Sequence, residues 1–162
     1  MSDITGEVLD LPTRSGDRPS TGPEIPHQQL DQNAPPALQE ELWQQMTTLE
    51  GVRAGRSGIS LPDTRALHLD PALALGPPGA FMVGVEFAHL HGRSDGSLHA
   101  VLPHDLGAQA IEAGWAELHP LARRRALPAA IVMIYGPRDV VELETVWQLV
   151  KASYSFARGD AR

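Results

Sequence analysis

The sequence predicts an α+β domain over residues 35–162, a mostly antiparallel sheet with helices packed on one face. Three observations carry that prediction. Residues 81–91 and 97–102 are apolar, aromatic or β-branched runs joined by the Gly- and Asp-containing segment 92–96, the pattern of a β-hairpin. Leu38, Leu42, Met46 and Leu49 recur at helical spacing, as do Leu143, Val146, Trp147, Val150 and Tyr154. Ala129 to Tyr135 is nearly continuous in apolar residues, the signature of a strand buried on both faces.

Residues 1–34 read as a disordered or loosely ordered tail. They mix Pro12, Pro19, Pro23 and Pro26 with polar residues and hold few apolar positions at any period, so His27 is expected to be exposed and inert. Pro35-Pro36 suits a helix's first turn, Trp43 lies beside the apolar stripe, and Gly51 ends the helix. Residues 52–56, 58–61 and 65–69 read as short strands. His68 alternates away from Leu67 and Leu69, as a surface residue would. Leu75-Gly76-Pro77-Pro78-Gly79 is a rigid connection into a strand starting at Phe81.

A second helix is predicted from about His104 to Ala113, with Leu106, Ala110 and Ala113 inward and His104 exposed. Asp105 suits the positive end of its dipole, and Gly114 is placed to close it in a left-handed conformation. Arg123-Arg124-Arg125 reads as a solvated loop. Gly136-Pro137-Arg138 leads into the last helix, where Asp139 and Glu142 have capping-box spacing.

The hairpin concentrates the chemistry. Three of the seven histidines lie between positions 89 and 99. A five-residue turn at 92–96 sets His91 opposite Ser97, Leu90 opposite Leu98 and His89 opposite His99. Alternation then points His89, His91 and His99 to one face. Opposed Cβ atoms lie roughly 4.5–5.5 Å apart, close enough for two imidazoles to share a ligand or a proton. By the same alternation Glu86 falls on the other face, as a structural ion-pair partner.

Bulk properties bound the function. A formal charge of −7 argues against nucleic acid or an anionic membrane surface as partner. The chain has no cysteine, which excludes disulfides, thiolate metal sites and a Cys nucleophile. The first residues lack the pattern of a signal peptide, and no apolar run approaches the roughly 20 residues of a membrane span, so a cytoplasmic protein is expected. No Gly-rich phosphate loop or Gly-x-Ser-x-Gly elbow is present.

The string Glu86-Phe87-Ala88-His89-Leu90-His91, then Asp95, Ser97-Leu98-His99 and Gly114-Trp115-Ala116-Glu117-Leu118-His119-Pro120-Leu121-Ala122, resembles the fungal luciferase family. The similarity continues through Tyr135-Gly136-Pro137-Arg138 to Ala152-Ser153-Tyr154. The resemblance implies an α+β pocket that oxidises a small substrate with O2 and needs no cofactor. In the fungal enzymes the substrate is 3-hydroxyhispidin, a styryl pyrone, which emits light through an endoperoxide that loses CO2. Two departures set this chain apart. Its first residues are polar and Pro-rich where the fungal enzymes carry a membrane anchor, and Val85 stands where their motif has a basic residue.

Candidate catalytic residues are His89, His91, His99, His119 and Asp95, with imidazole as general base and a carboxylate, Asp95 or Glu86, fixing its tautomer, although alternation favours the structural role for Glu86. Phe87 and Trp115 would give stacking surface for a flat ligand, Arg138 would pair with its anionic oxygen, and Tyr135 joins this substrate-binding group. The expected partner is a small molecule, with O2 as possible co-substrate and no cofactor. The alternative is one transition metal ion on His89, His91, His99 and His119. A non-catalytic binding domain and purely structural histidines complete the alternatives.

Overall fold

In a computed structural model, residues 9–23, 25–123 and 131–160 are described. A small ribbon comes first, β1 (Thr21–Gly22) paired with β2 (Gln28–Gln29). Helix α1 (Pro36–Met46) starts on a proline whose missing N–H would lack a partner there anyway. It is followed by a turn in which Gly51 takes φ 74°, a conformation that favours glycine. Strands β3 (Val52–Arg56) and β4 (Arg65–Leu69) form an antiparallel pair with Val52 opposite Leu69. After a short 3-10 turn at Pro78–Ala80 come β5 (Glu86–Leu90) and β6 (Leu98–Val101). Then follow α2 (His104–Glu112), β7 (Ala116–Leu118), α3 (Pro120–Arg123), β8 (Ile131–Ile134) and α4 (Val140–Arg158).

The main sheet has six strands in the order β3-β4-β5-β6-β8-β7, each pair antiparallel. Its even-numbered hairpin positions, Ala88, Leu90, Leu98 and Ala100, pack with Leu67, Leu69, Val132 and Ile134 against Leu42 and Met46 of α1 and Leu143, Val146, Leu149 and Val150 of α4. Full burial of one such Leu, Val or Met contributes about 1.5–3 kcal/mol, so this face holds the fold. Helix α4 is fixed at both ends. Glu142 N–H donates to Asp139 Oδ1 at 2.8 Å, and Gly159 closes the helix at φ 84°. The expected α+β class and the hairpin register both hold: His89 faces His99, Leu90 faces Leu98, and His91 N–H donates to Ser97 O at 2.9 Å.

Two expected strands are shorter or absent. Residues 58–61 turn instead of extending, because Ser57 Oγ accepts the N–H groups of Ile59 and Ser60 at 3.2 and 3.1 Å. The strand expected from Phe81 begins only at Glu86. Gly84 is at φ 55°, and Glu86 N–H closes a turn onto Val83 O. His104 is exposed as expected, and Gly114 sits at φ 90° after α2. The arginine loop at 124–125, and Ala129 and Ala130 of the apolar run, lie outside the described residues, as do residues 1–8 of the tail.

The rest of the N-terminal segment is bound to the sheet by backbone-directed hydrogen bonds. Arg14 N–H donates to Ala113 O, Trp115 Nε1–H to Pro12 O at 2.6 Å, and Gly136 N–H to Gln29 Oε1 at 3.0 Å. Arg18 donates to Ala116 O and Ile111 O. Arg14, His27 and Gln29 of this strap are buried. The expectation of an exposed, inert His27 is therefore corrected: it is 5% exposed and hydrogen-bonded at both ring nitrogens. No described helix is long and apolar enough to cross a membrane.

Candidate functional site

The face of the sheet away from α1 and α4 carries a polar row. Register places Ala66, His89, His99, Met133 and Glu117 side by side across β4, β5, β6, β8 and β7. His91 follows His89 on the same face, and His119 follows Glu117, because side chains repeat every second residue. A β-bulge adds one more. Leu67 pairs with Ala88 but His68 pairs with Glu86, which leaves Phe87 as an extra residue in β5. The bulge reverses the alternation, so Glu86 joins the histidine face and Phe87 turns into the core.

The side chains form one connected network. Glu86 Oε2 accepts from His89 Nδ1–H at 2.7 Å and from Ser57 Oγ–H at 2.8 Å, while Gly58 N–H donates to Oε1 at 2.8 Å. His89 Nε2 then lies 3.1 Å from His99 Nδ1, and His91 Nε2 lies 3.0 Å from the same atom. The other side of His91 is fixed by Ser97, whose hydroxyl is committed to Asp95 Oδ1. His91 Nδ1–H therefore donates to Ser97 Oγ at 2.9 Å. On the far side His99 Nε2 is 3.0 Å from His27 Nδ1, and His27 Nε2–H donates to Glu117 Oε2 at 2.9 Å. His119 Nδ1 accepts Leu121 N–H at 3.0 Å, so its neutral ring carries the proton on Nε2.

Burial and neighbours set the charges. Burial, then the surrounding imidazoles, holds His99 well below the usual 6.5. Burial also lowers His89, though Glu86 opposes it. His119 is pushed down to about 4 by burial and by His27, His89 and His91. Burial works to raise the carboxyls of Glu86, Asp95 and Glu117. The hydrogen bonds each accepts from imidazole, hydroxyl or N–H outweigh it, and all three lie below their usual values. His89, His99 and His119 are thus held neutral, with ionised carboxylates at Glu86, Asp95 and Glu117.

A cavity of about 370 Å³ opens over this network, within the range of small-molecule sites. Its base includes His27, His89, His91, His99, His119 and Asp95, and its walls include Ile59, Leu61, Met82, Leu121 and Ile131. Ile25, Ile59 and Leu61 are exposed at its rim.

The structure thus brings His89, His91, His99, His119 and Asp95 together, and leaves the four proposed ligand-contacting residues outside the cavity. Phe87 is fully buried against Tyr154, with ring centroids 6.0 Å apart. Trp115 lies in the core. Tyr135 Oη–H donates to Glu117 Oε1 at 3.0 Å and so supports the network from behind. Arg138 is paired with Glu142. His68 Nε2–H donates to Arg56 O at 2.8 Å, apart from the cluster. Sequence reasoning missed His27 and Glu117, and alternation set Glu86 on the opposite face from the one it occupies. Glu117 had a usable signal, since it stands two residues before His119 on one strand face.

A family model described as the luciferase domain matches residues 84–153. The chain is 28% identical to a luciferase of Armillaria gallica over 93% of its own length and 62% of that protein. Against a luciferase of Armillaria mellea the identity is 29% with the same shares, and against one of Neonothopanus nambi it is 26% over 94% and 63%. The chain is therefore similar to fungal luciferases over nearly its whole length and carries the luciferase-domain match from β5 into α4. It spans somewhat under two thirds of the length of those relatives. No solved structure matches it. The matched luciferase domain contains β5, β6, the turn with Asp95, and His119, while His27 comes from the strap before it.

Proposed function

We propose that the protein binds a small, flat, enolisable compound in the histidine-lined cavity and oxidises it with O2. The observation that carries this reading is the direction of the ring nitrogens. The unprotonated Nε2 atoms of His89 and His91 converge at the base of a ligand-sized, apolar-walled cavity. The luciferase-domain match and the similarity to fungal luciferases support it.

A concentration of lone pairs attracts positive charge, and in its simplest form takes the proton of an enol or phenol. Glu86 and Asp95 stand behind His89 and His91 to stabilise the imidazolium that forms. His119 Nε2–H is a donor for the anionic oxygen left behind. The enolate passes one electron to O2, and the substrate radical and superoxide combine to a peroxide anion. The proton then returns from the imidazolium, so that the balance is R–H + O2 → R–OOH. The substrate is the reductant, and no organic cofactor is required.

Oxygen uptake with a panel of 3-hydroxy-2-pyrones and related flat enols tests this reading. Saturable O2 consumption is expected, lost in His89→Ala and His99→Ala proteins that keep their circular dichroism. Thermal stabilisation by panel members with no O2 uptake overturns it in favour of simple binding.

A further inference from the structure

We infer that His89 Nε2, His91 Nε2 and His99 Nδ1 form a three-imidazole site for one divalent first-row transition metal ion. The inference follows from counting protons on the rings. His89 carries its proton on Nδ1, where it meets the Glu86 carboxylate, and His91 carries its own on Nδ1, where it meets Ser97. Both Nε2 atoms are bare, and both lie 3.0–3.1 Å from His99 Nδ1. On the other side of His99, His27 spends its proton on Glu117 and presents a bare Nδ1 at 3.0 Å from His99 Nε2.

Neutral His99 has one proton for these three encounters. On Nδ1 it leaves two lone pairs facing each other at His27. On Nε2 it leaves three lone pairs meeting at His89 and His91. Protonating both nitrogens would place a cation on a ring 4% exposed, the environment that disfavours it most. A metal ion removes the conflict completely. His89, His91 and His99 donate lone pairs to it, His99 Nε2–H donates to His27, and His27 Nε2–H donates to Glu117. Every ring nitrogen is then satisfied and every histidine is neutral.

The spacing agrees. Nitrogens about 2.0–2.1 Å from one ion lie about 2.9 Å apart at octahedral angles and about 3.3 Å at tetrahedral ones. The two edges to His99 Nδ1, 3.0 and 3.1 Å, fall between, and the third edge lies within 4.8 Å. Each ligand ring also has its other nitrogen anchored, to Glu86, to Ser97 with Asp95 behind it, or to His27 with Glu117 behind it. Metal-binding histidines generally have such partners. The neighbouring triad of His27, His99 and His119 is the poorer site. His119 uses its bare nitrogen on Leu121 N–H, so the remaining one carries a proton.

The site does not depend on which compound the cavity oxidises, and its test needs no substrate. Protein purified without a His-tag, stripped by chelator and checked for fold, is titrated with Zn2+ and with Co2+. One equivalent bound, a raised Tm and the visible ligand-field absorption of a low-symmetry Co2+ site are expected. His119→Ala should keep that stoichiometry, and His89→Ala should lose it. Glu86→Gln, which keeps the ligand and alters its anchor, should weaken Zn2+ affinity about 10- to 100-fold. A folded apo protein that binds no stoichiometric metal overturns the inference. So does a His119→Ala protein that loses the metal while His89→Ala retains it. The ion would claim the Nε2 atoms proposed above as the base, so O2 uptake is expected of the metal-free protein; Zn2+ binding with no O2 uptake in either state would overturn the oxidation reading and support this site.

Discussion

Glu86 Oε2 lies 2.7 Å from His89 Nδ1, although the two residues stand three apart in one strand. Regular alternation would put them on opposite faces. The bulge at Phe87 reverses the phase and turns a carboxylate into the partner that fixes the His89 tautomer. Replacing Glu86 by Ala therefore strands the buried His89 ring N–H, and hands the part-exposed Ser57 hydroxyl and Gly58 N–H to water. Each unsatisfied buried group costs about 1–3 kcal/mol. A loss of about 1–3 kcal/mol is expected in urea denaturation of Glu86→Ala, and a smaller loss for Glu86→Gln. Equal stability of Glu86→Ala and the parent would contradict the network.

The same bulge assigns Phe87 to the core. Phe87→Leu should lower the Tm by a few degrees while leaving the KM for any cavity ligand unchanged. A changed KM with unchanged Tm would mean that Phe87 reaches the ligand after all.

Acid should destabilise the metal-free protein in a defined window. His119 titrates at about 4 when folded, against an ordinary 6.5. Between those values the unfolded chain holds the proton and the folded chain does not, so stability falls as the pH falls. His89 and His99, also lowered, add to the slope in the same direction. Below about 4.5 the lowered carboxyls of Glu86, Asp95 and Glu117 continue it. The Tm is expected to be level above about pH 7 and to drop steadily towards pH 4. His119→Gln should flatten part of that drop. A Tm that holds or rises from pH 6.5 to 5 would show that the rings are charged in the folded state.

The strap is the part of the site that composition hides. Deleting residues 1–34 removes His27 from His99 and Glu117, Pro12 O from Trp115, and Gln29 from Gly136. At about 1–3 kcal/mol for each buried partner left open, a loss of at least ~3 kcal/mol is expected in urea denaturation. An unchanged midpoint would mean that the strap is not part of the folded unit.

These cases show what was legible in the sequence. The hairpin register was, because turn length and strand period together set it, and with it the meeting of His89, His91 and His99. The helices α1 and α4 were, because their apolar stripes match the helical period. The position of Glu86 was not, since a bulge breaks the one-for-one pairing that alternation assumes and leaves no mark in the residue pattern. His27 was not, because its segment has no period and is held by hydrogen bonds to distant backbone. Phe87 and Trp115 read as ligand surface for their aromaticity, but aromatic character serves a core equally well.

The most direct test is to read the histidine tautomers by ring 15N NMR of the metal-free protein near pH 7.5. The account predicts His89 and His91 in the Nδ1–H form with bare Nε2 atoms, and His27 and His119 in the Nε2–H form. Nε2–H protons on both His89 and His91 would place donors where the structure needs lone pairs, and would contradict the proposed base and the proposed metal site together.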